Sequence, residues 1–273
     1  MPMRFADFLP SSDAQAIAAE RNWLEPQFAN LEQGLGFLTI QCYLVRTAHH
    51  TVLIDTCVGN DKNRSALAGF HQLKTGWLDE LRACGVRPSE VDYVMCTHLH
   101  SDHVGWNTRL ESGRWVPTFP NARYVFARRE FEHRERLYRS DPQDGYGMFA
   151  DSVLPVVASG QSLLVDSDYA LDDQLRLEPA AGHTPGNVVI HLQSRGARAV
   201  LSGDVMHHPI QVRYPEWSSR FCEDPLLAAQ YRKSFVESHA DTNTLVLPAH
   251  FPAPTAGRIR RDGSRGRFEF VAA

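Results

Sequence analysis

The sequence predicts an α/β fold, and three observations carry that prediction. Short runs rich in β-branched and apolar residues, such as Val91-Asp92-Tyr93-Val94-Met95-Cys96, read as buried strands. They alternate with segments of helical pattern, such as 74–84 and 225–239. Four strand-like runs stop at a histidine or an aspartate. In layered α/β folds the strand ends are where rigid scaffold meets loop, and functional groups gather there.

Taken in order, residues 12–24 read as a short helix capped by Ser11 or Ser12, with Ala16, Ile17 and Trp23 apolar. Residues 37–45 and 50–56 read as paired strands turning at Thr47-Ala48-His49. Residues 74–84 place Trp77, Leu78 and Leu81 on one helical face, stopped by Gly85. The strand 91–96 follows the turn signal Gly85-Val86-Arg87-Pro88-Ser89, and 102–107 should open the next helix or turn. Residues 128–137 mix both charges densely and predict a solvated helix laced with i,i+4 pairs. The stretch 140–162, with Asp144-Gly145-Tyr146-Gly147-Met148-Phe149, reads equally as a flap over a site or an ordinary connection. Runs at 175–179, 199–202 and 244–248 are three more strands, and Asp224-Pro225 opens the helix 225–239. No repeat, low-complexity tract or linker interrupts the pattern, so one domain over 1–273 is expected.

Composition excludes several classes. Hydrophobic content of 43% and charged content of 22% are those of an ordinary soluble globule. A net charge of −4 argues against a general nucleic-acid binder, which would be basic. No run approaches a membrane span, and Met1 to Phe8 lacks the charged head and apolar core of a signal peptide. Cys42, Cys57, Cys84, Cys96 and Cys222 are odd in number and scattered, which predicts reduced thiols and a cytoplasmic protein. Cys96 reads as buried filler. Paired CxxC knuckles are absent, so a structural zinc is not expected.

The most informative stretch is Thr97-His98-Leu99-His100-Ser101-Asp102-His103. Imidazole is the commonest transition-metal ligand, and carboxylate is a good hard partner. A fold gains little from clustered imidazoles unless something positive sits among them. Three more donors follow strand-like runs: His183 in Gly182-His183-Thr184-Pro185-Gly186, Asp204 after Ser202-Gly203, and His250 after Pro248-Ala249. Seven donors are too many for one tetrahedral zinc and about right for two. Two close cations can share a hydroxide that is available at neutral pH. His49, His50 and His71 are isolated and read as surface residues.

The run 98–103 resembles the HxHxDH motif of the metallo-β-lactamase fold superfamily. His183, Asp204 and His250 resemble its later ligands in order. Leu53-Ile54-Asp55-Thr56 resembles its early strand motif, with Cys57 where many members have glycine. The resemblance spans about 40–255. It implies an αβ/βα sandwich of two facing mixed sheets with outer helices. It also implies two ions, zinc in the first instance, with Mn2+, Co2+ or Fe2+ as alternatives. His98, His100 and His183 would hold the first, Asp102, His103 and His250 the second, and Asp204 would bridge them. His100 stands where flavodiiron members carry glutamate, which argues against oxygen reduction at a di-iron site. Persulfide dioxygenases and glyoxalase II enzymes share HxHxDH and stay open.

Asp204 is followed by Val205-Met206-His207-His208-Pro209. Quorum-quenching lactonases of this superfamily typically carry tyrosine at the position of His207. The pattern GD-x-x-H, with Ala249-His250-Phe251-Pro252 and Gly257-Arg258-Ile259-Arg260, is similar to the methyl parathion hydrolase and lactonase-like branch. That likeness implies cleavage of a lactone, carboxylic ester or phosphotriester by hydroxide at a dinuclear centre. Asp102 and His207 are the candidate catalytic residues. His207 would donate to a leaving group or oxyanion, or support a ligand, and His208 reads as a neighbour without a role. Trp106, Trp217, Phe221 and Phe251, with His207, are the substrate-binding candidates. They would line an apolar pocket, and core packing is the competing explanation for each. Two further classes remain: a mononuclear iron persulfide dioxygenase or glyoxalase II-type thioesterase, and a binding protein with a vestigial metal site. The intact donor set argues against the last. The expected partner is a small-molecule substrate, with a second copy if the chain forms a homodimer, and neither nucleic acid nor membrane.

Overall fold

The run Tyr93–Met95 is the middle strand of a five-stranded sheet, and its position explains its composition. Its neighbours Thr51–Ile54 and Arg123–Ala127 both run parallel to it. Ser162–Val165 extends the parallel set beyond Arg123–Ala127, and Tyr43–Arg46 closes the other edge antiparallel. A parallel sheet is covered on both faces, so its central strands are apolar throughout. Val94, Met95, Tyr124, Val125, Phe126 and Ala127 are accordingly all buried. The larger aliphatic and Phe side chains among them each stabilise the fold by roughly 1.5–3 kcal/mol relative to exposure. The helices Trp77–Ala83 and Arg128–Ser140 make two of the crossovers that a parallel sheet requires.

This sheet belongs to one of two compact units in the computed structural model, which describes residues 1–271. The first unit spans Ile40–Ser167, and the hairpin Thr108–Glu111 with Arg114–Pro117 completes its strands. The second unit joins Met1–Thr39 to the chain from Asp168 onward. Its six-stranded sheet runs Leu175–Pro179, Val188–Ser194, Ala197–Gly203, Leu245–Pro248, Gly257–Asp262 and Arg265–Phe270 in spatial order. Only Ala197–Gly203 and Leu245–Pro248 pair in parallel, and the helix Pro225–His239 connects them. A small sheet of Pro2–Arg4, Leu35–Phe37 and Ala29–Asn30 belongs to the same unit. No helix among the described residues is long and apolar enough to cross a membrane.

Several elements differ from expectation, each for a local reason. The helix expected at 12–24 is two short pieces, Ala14–Ala19 and Arg21–Leu24, and Asp13 is its cap, accepting from the Ala16 amide at 2.7 Å. Aspartate competes well with serine for this position. The strand expected from residue 37 begins at Tyr43, because Phe37 pairs with Pro2 in the small sheet. The helix at 128–140 is not fully solvated, since Glu130, Phe131 and Arg134 are buried. The stretch 140–162 is anchored rather than free. Met148, Phe149, Val153 and Val156 lie in the core, and the buried Arg64 grips Asp151 with its two terminal guanidinium nitrogens at 2.7 and 2.8 Å.

Candidate metal centre

In the first unit, two adjacent parallel strands deliver the polar groups. Ile54 pairs with Met95, so Asp55 and the Thr97-His98 segment leave the sheet at the same edge. Asp55 organises the loop from Thr97 to His103. Its carboxylate accepts from the Thr97 amide (2.8 Å), the Thr97 hydroxyl (2.9 Å) and His103 Nδ1 (2.9 Å). Three such bonds repay a backbone held in the left-handed region at φ 58°. Thr56 fixes the same loop from its backbone, donating to the His103 carbonyl at 2.6 Å.

The three imidazoles are packed together. His98 Nε2 faces His100 Nδ1 at 3.0 Å, and the His98 and His103 rings lie 4.1 Å apart. Asp102 Oδ2 lies 3.9 Å from His103 Nε2 and is partly open to solvent. The helix Arg128–Ser140 reaches this cluster: Arg134 donates to His100 Nε2 at 2.6 Å, and Glu130 accepts from the Leu99 amide at 3.0 Å. Sequence reasoning missed both residues. Their i,i+4 spacing was visible, but a dense mixture of charges reads as surface until burial is known.

In the second unit the same construction recurs. Gly203 pairs with Pro248 across parallel strands, which sets Asp204 and His250 just beyond neighbouring strand ends. His183 follows Leu175–Pro179 through Gly182, whose φ of 137° and whose approach to the Ala228 amide (2.4 Å from an added Cβ) leave no room for a side chain. The Asp204 carboxylate is ringed by imidazoles. His183 Nε2 and His207 Nε2 each lie 3.1 Å from Oδ2, and His250 Nε2 lies 3.0 Å from Oδ1. One carboxylate cannot favour a proton on every ring. Burial opposes the charge on His183, but Asp204 prevails and lifts its pKa to about 9. Burial prevails at His207 and lowers it to about 4.

The donor chemistry fits divalent ions. His103 Nδ1 is bonded to Asp55, His250 Nδ1 to the Thr39 carbonyl at 2.7 Å, and His183 Nδ1 approaches Cys222 Sγ at 3.6 Å. Engaging Nδ1 in this way fixes the ring and leaves Nε2 as the ligating atom, the usual arrangement behind a metal-bound histidine. The donors are imidazole and carboxylate, a set suited to zinc and its first-row neighbours.

The remaining predicted residues fall in different settings. Trp106 is buried and stacks on Trp77, Trp217 stacks on Tyr214, and Phe251 packs edge-on against Phe268. Phe221 is 41% exposed, and its ring lies 6.0 Å from that of His207. His207 is buried, donates its amide to Gln211 and stacks parallel to His250 at 5.5 Å. His208 is a structural residue, bonded through Nε2 to the Phe28 carbonyl at 2.8 Å.

Residues 35–250 match the family described as the metallo-beta-lactamase superfamily. The chain belongs to that superfamily. This member is 24% identical to an N-acyl homoserine lactonase of Bacillus thuringiensis over 178 residues, covering 60% of this chain and 62% of the relative. It is 41% identical to the N-acyl homoserine lactonase AttM of Rhizobium johnstonii over 58 residues, 21% of this chain and 19% of that one. The chain thus spans about three fifths, or less, of the length of these curated relatives. Among solved structures it is similar to AidC, a dizinc quorum-quenching lactonase in complex with a product (TM-score 0.80, 20% identity, 100% of this chain and 92% of that one). It is also similar to the hydrolase AbOPH (TM-score 0.81, 22% identity, 99% and 91%). The fold is therefore the metallo-β-lactamase fold that the ligand motif implied.

Proposed function

We propose that this superfamily member is a metal-dependent hydrolase that opens a lactone, carboxylic ester or phosphotriester at a pair of divalent ions. The observation that carries the reading is Asp204, a buried carboxylate with imidazoles on both oxygens at the end of a parallel strand pair. Desolvating these groups together costs free energy that a bound cation offsets. The proposed ligands are those implied by the motif order: His98, His100 and His183 for one ion, Asp102, His103 and His250 for the other, and Asp204 shared. Likeness to N-acyl homoserine lactonases and to a dizinc lactonase supports an ester-type bond.

When bound, such ions supply an activated water and a Lewis acid for the scissile carbonyl or phosphoryl oxygen. The chain's own groups orient the rest. Asp55 and the Thr39 carbonyl fix the rings of His103 and His250. His207 donates from Nε2 to Asp204 and holds that carboxylate in place. Phe221 offers an exposed apolar surface beside His207 for an acyl or aryl group.

Elemental analysis beside a panel of lactones, aryl esters and phosphotriesters tests the reading. Two ions per active chain are expected, with activity lost to a chelator and restored by zinc, manganese or cobalt. Asp204→Ala should lower both occupancy and turnover. One ion in fully active protein overturns the two-ion assignment, and a single iron with persulfide oxidation assigns the dioxygenase class instead. A trapped covalent acyl-enzyme contradicts direct attack by water.

A further inference from the structure

The chain from Ser219 to Cys222 makes a tight turn against two imidazoles of the Asp204 cluster. The Cys222 amide donates to the Ser219 carbonyl at 3.1 Å, which closes the turn. Its two ends face the imidazoles. Ser219 Oγ lies 3.4 Å from His207 Nε2, and Cys222 Sγ lies 3.6 Å from His183 Nδ1. Its two corners, Arg220 and Phe221, are exposed. The turn is tied down from below, because the Arg220 amide donates to the carbonyl of the fully buried Phe8 at 2.9 Å. A fixed turn thus holds a cation and an aromatic ring beside the cluster of His183, Asp204 and His207.

The Phe221 ring lies 6.0 Å from the His207 ring, and the Arg220 guanidinium lies 5.9 Å from the centre of the Phe221 ring. From His207 outward, the order is imidazole, aromatic ring, cation. Among the described residues no carboxylate pairs with the Arg220 guanidinium. Asp224, four positions on, is engaged as the cap of the helix Pro225–His239 and accepts from the Leu227 amide at 2.9 Å. Solvated arginines are common on protein surfaces. This one differs in sitting on a turn whose other polar side chains touch two imidazoles of the site.

We propose that Arg220 selects substrates by an oxyanion, a carboxylate or phosphate carried at the end of the acyl chain remote from the scissile bond. The proposal rests on the hydrolase reading above and narrows its substrate class. The acyl chain lies across the Phe221 ring, and the guanidinium takes the anion at its far end. A planar fork of N–H donors suits both oxyanions, since each offers two oxygens side by side.

The test uses the zinc-loaded full chain and 4-nitrophenyl esters of equal acyl length that end in a methyl, a carboxylate or a phosphate group. An anionic ester should have a higher kcat/KM than the neutral one, and the arm with the larger ratio names the oxyanion. In Arg220→Gln that ratio should fall roughly 5- to 20-fold, the strength of one charge-assisted contact discounted for solvent. Arg220→Lys should keep part of the preference, and added salt should reduce it in wild type. The same ratio in wild type and Arg220→Gln, or a wild-type preference for the neutral ester, overturns the proposal. Binding is read separately, as protection of Arg220 from phenylglyoxal by the corresponding anilides, which replace the ester with an amide. Protection by an anionic anilide and not by the neutral one, in a chain that cleaves none of the esters, keeps the site and removes the hydrolase reading. Ester hydrolysis with no such protection and an unchanged ratio removes the site and keeps that reading.

Discussion

Asp55 Oδ2 stands 2.9 Å from His103 Nδ1, and both side chains are buried. The carboxylate thus fixes which nitrogen of the ring points forward. Asp55→Asn isolates this effect, since asparagine tolerates the left-handed backbone that Asp55 adopts. The variant should fold and should bind divalent ions roughly 10- to 100-fold more weakly. Competitive dialysis against a chelator measures the change, and unaltered affinity removes Asp55 from the metal site.

His207 differs from an exposed general acid by its burial and its contact with Asp204. His207→Ala should therefore slow all substrates by a similar factor, roughly 10- to 100-fold, and should lower metal retention. Rates measured across leaving groups of graded pKa decide the matter. A loss confined to poor leaving groups, with metal content intact, would instead make His207 a proton donor.

Lys62 is buried over the Trp115 ring and bonds Thr108 and the Asp151 carbonyl. Burial lowers its pKa from 10.5 to about 7, against the pull of Asp151. Between these values the unfolded chain holds a proton that the folded chain lacks, so this group adds stability as pH rises. Below about 7 both states are protonated and the contribution is flat. Urea unfolding of wild type and Lys62→Met should show wild type gaining on the variant from about pH 7 to about pH 9.5. A constant difference contradicts the shift.

Gly105 sits against the backbone at Val58, where an added Cβ would lie 1.8 Å from the Val58 carbonyl oxygen. The obstacle is backbone, so it cannot turn aside. Gly105→Ala should cost roughly 2–4 kcal/mol, read as a lowered thermal midpoint. A variant as stable as wild type shows that the backbone at Val58 yields.

The α/β class, most of the strands and the order of the seven donors were legible in the sequence, because each depends on local pattern. A β-branched run between turn residues has few alternatives to a strand, and imidazole and carboxylate carry the same ligand chemistry wherever they are placed. The 225–239 helix was likewise readable from Asp224-Pro225, since capping and proline act within one turn. Contacts distant in sequence were not legible. Asp55 reaches His103 across 48 positions, and Arg134 reaches His100 across 34. Nothing in a charged helical pattern marks which of its members is buried. Local spacing determined which residues can bind a metal. Tertiary packing decided which carboxylate, carbonyl or guanidinium stands behind each one, because desolvation and hydrogen-bond geometry exist only once distant strands share an edge.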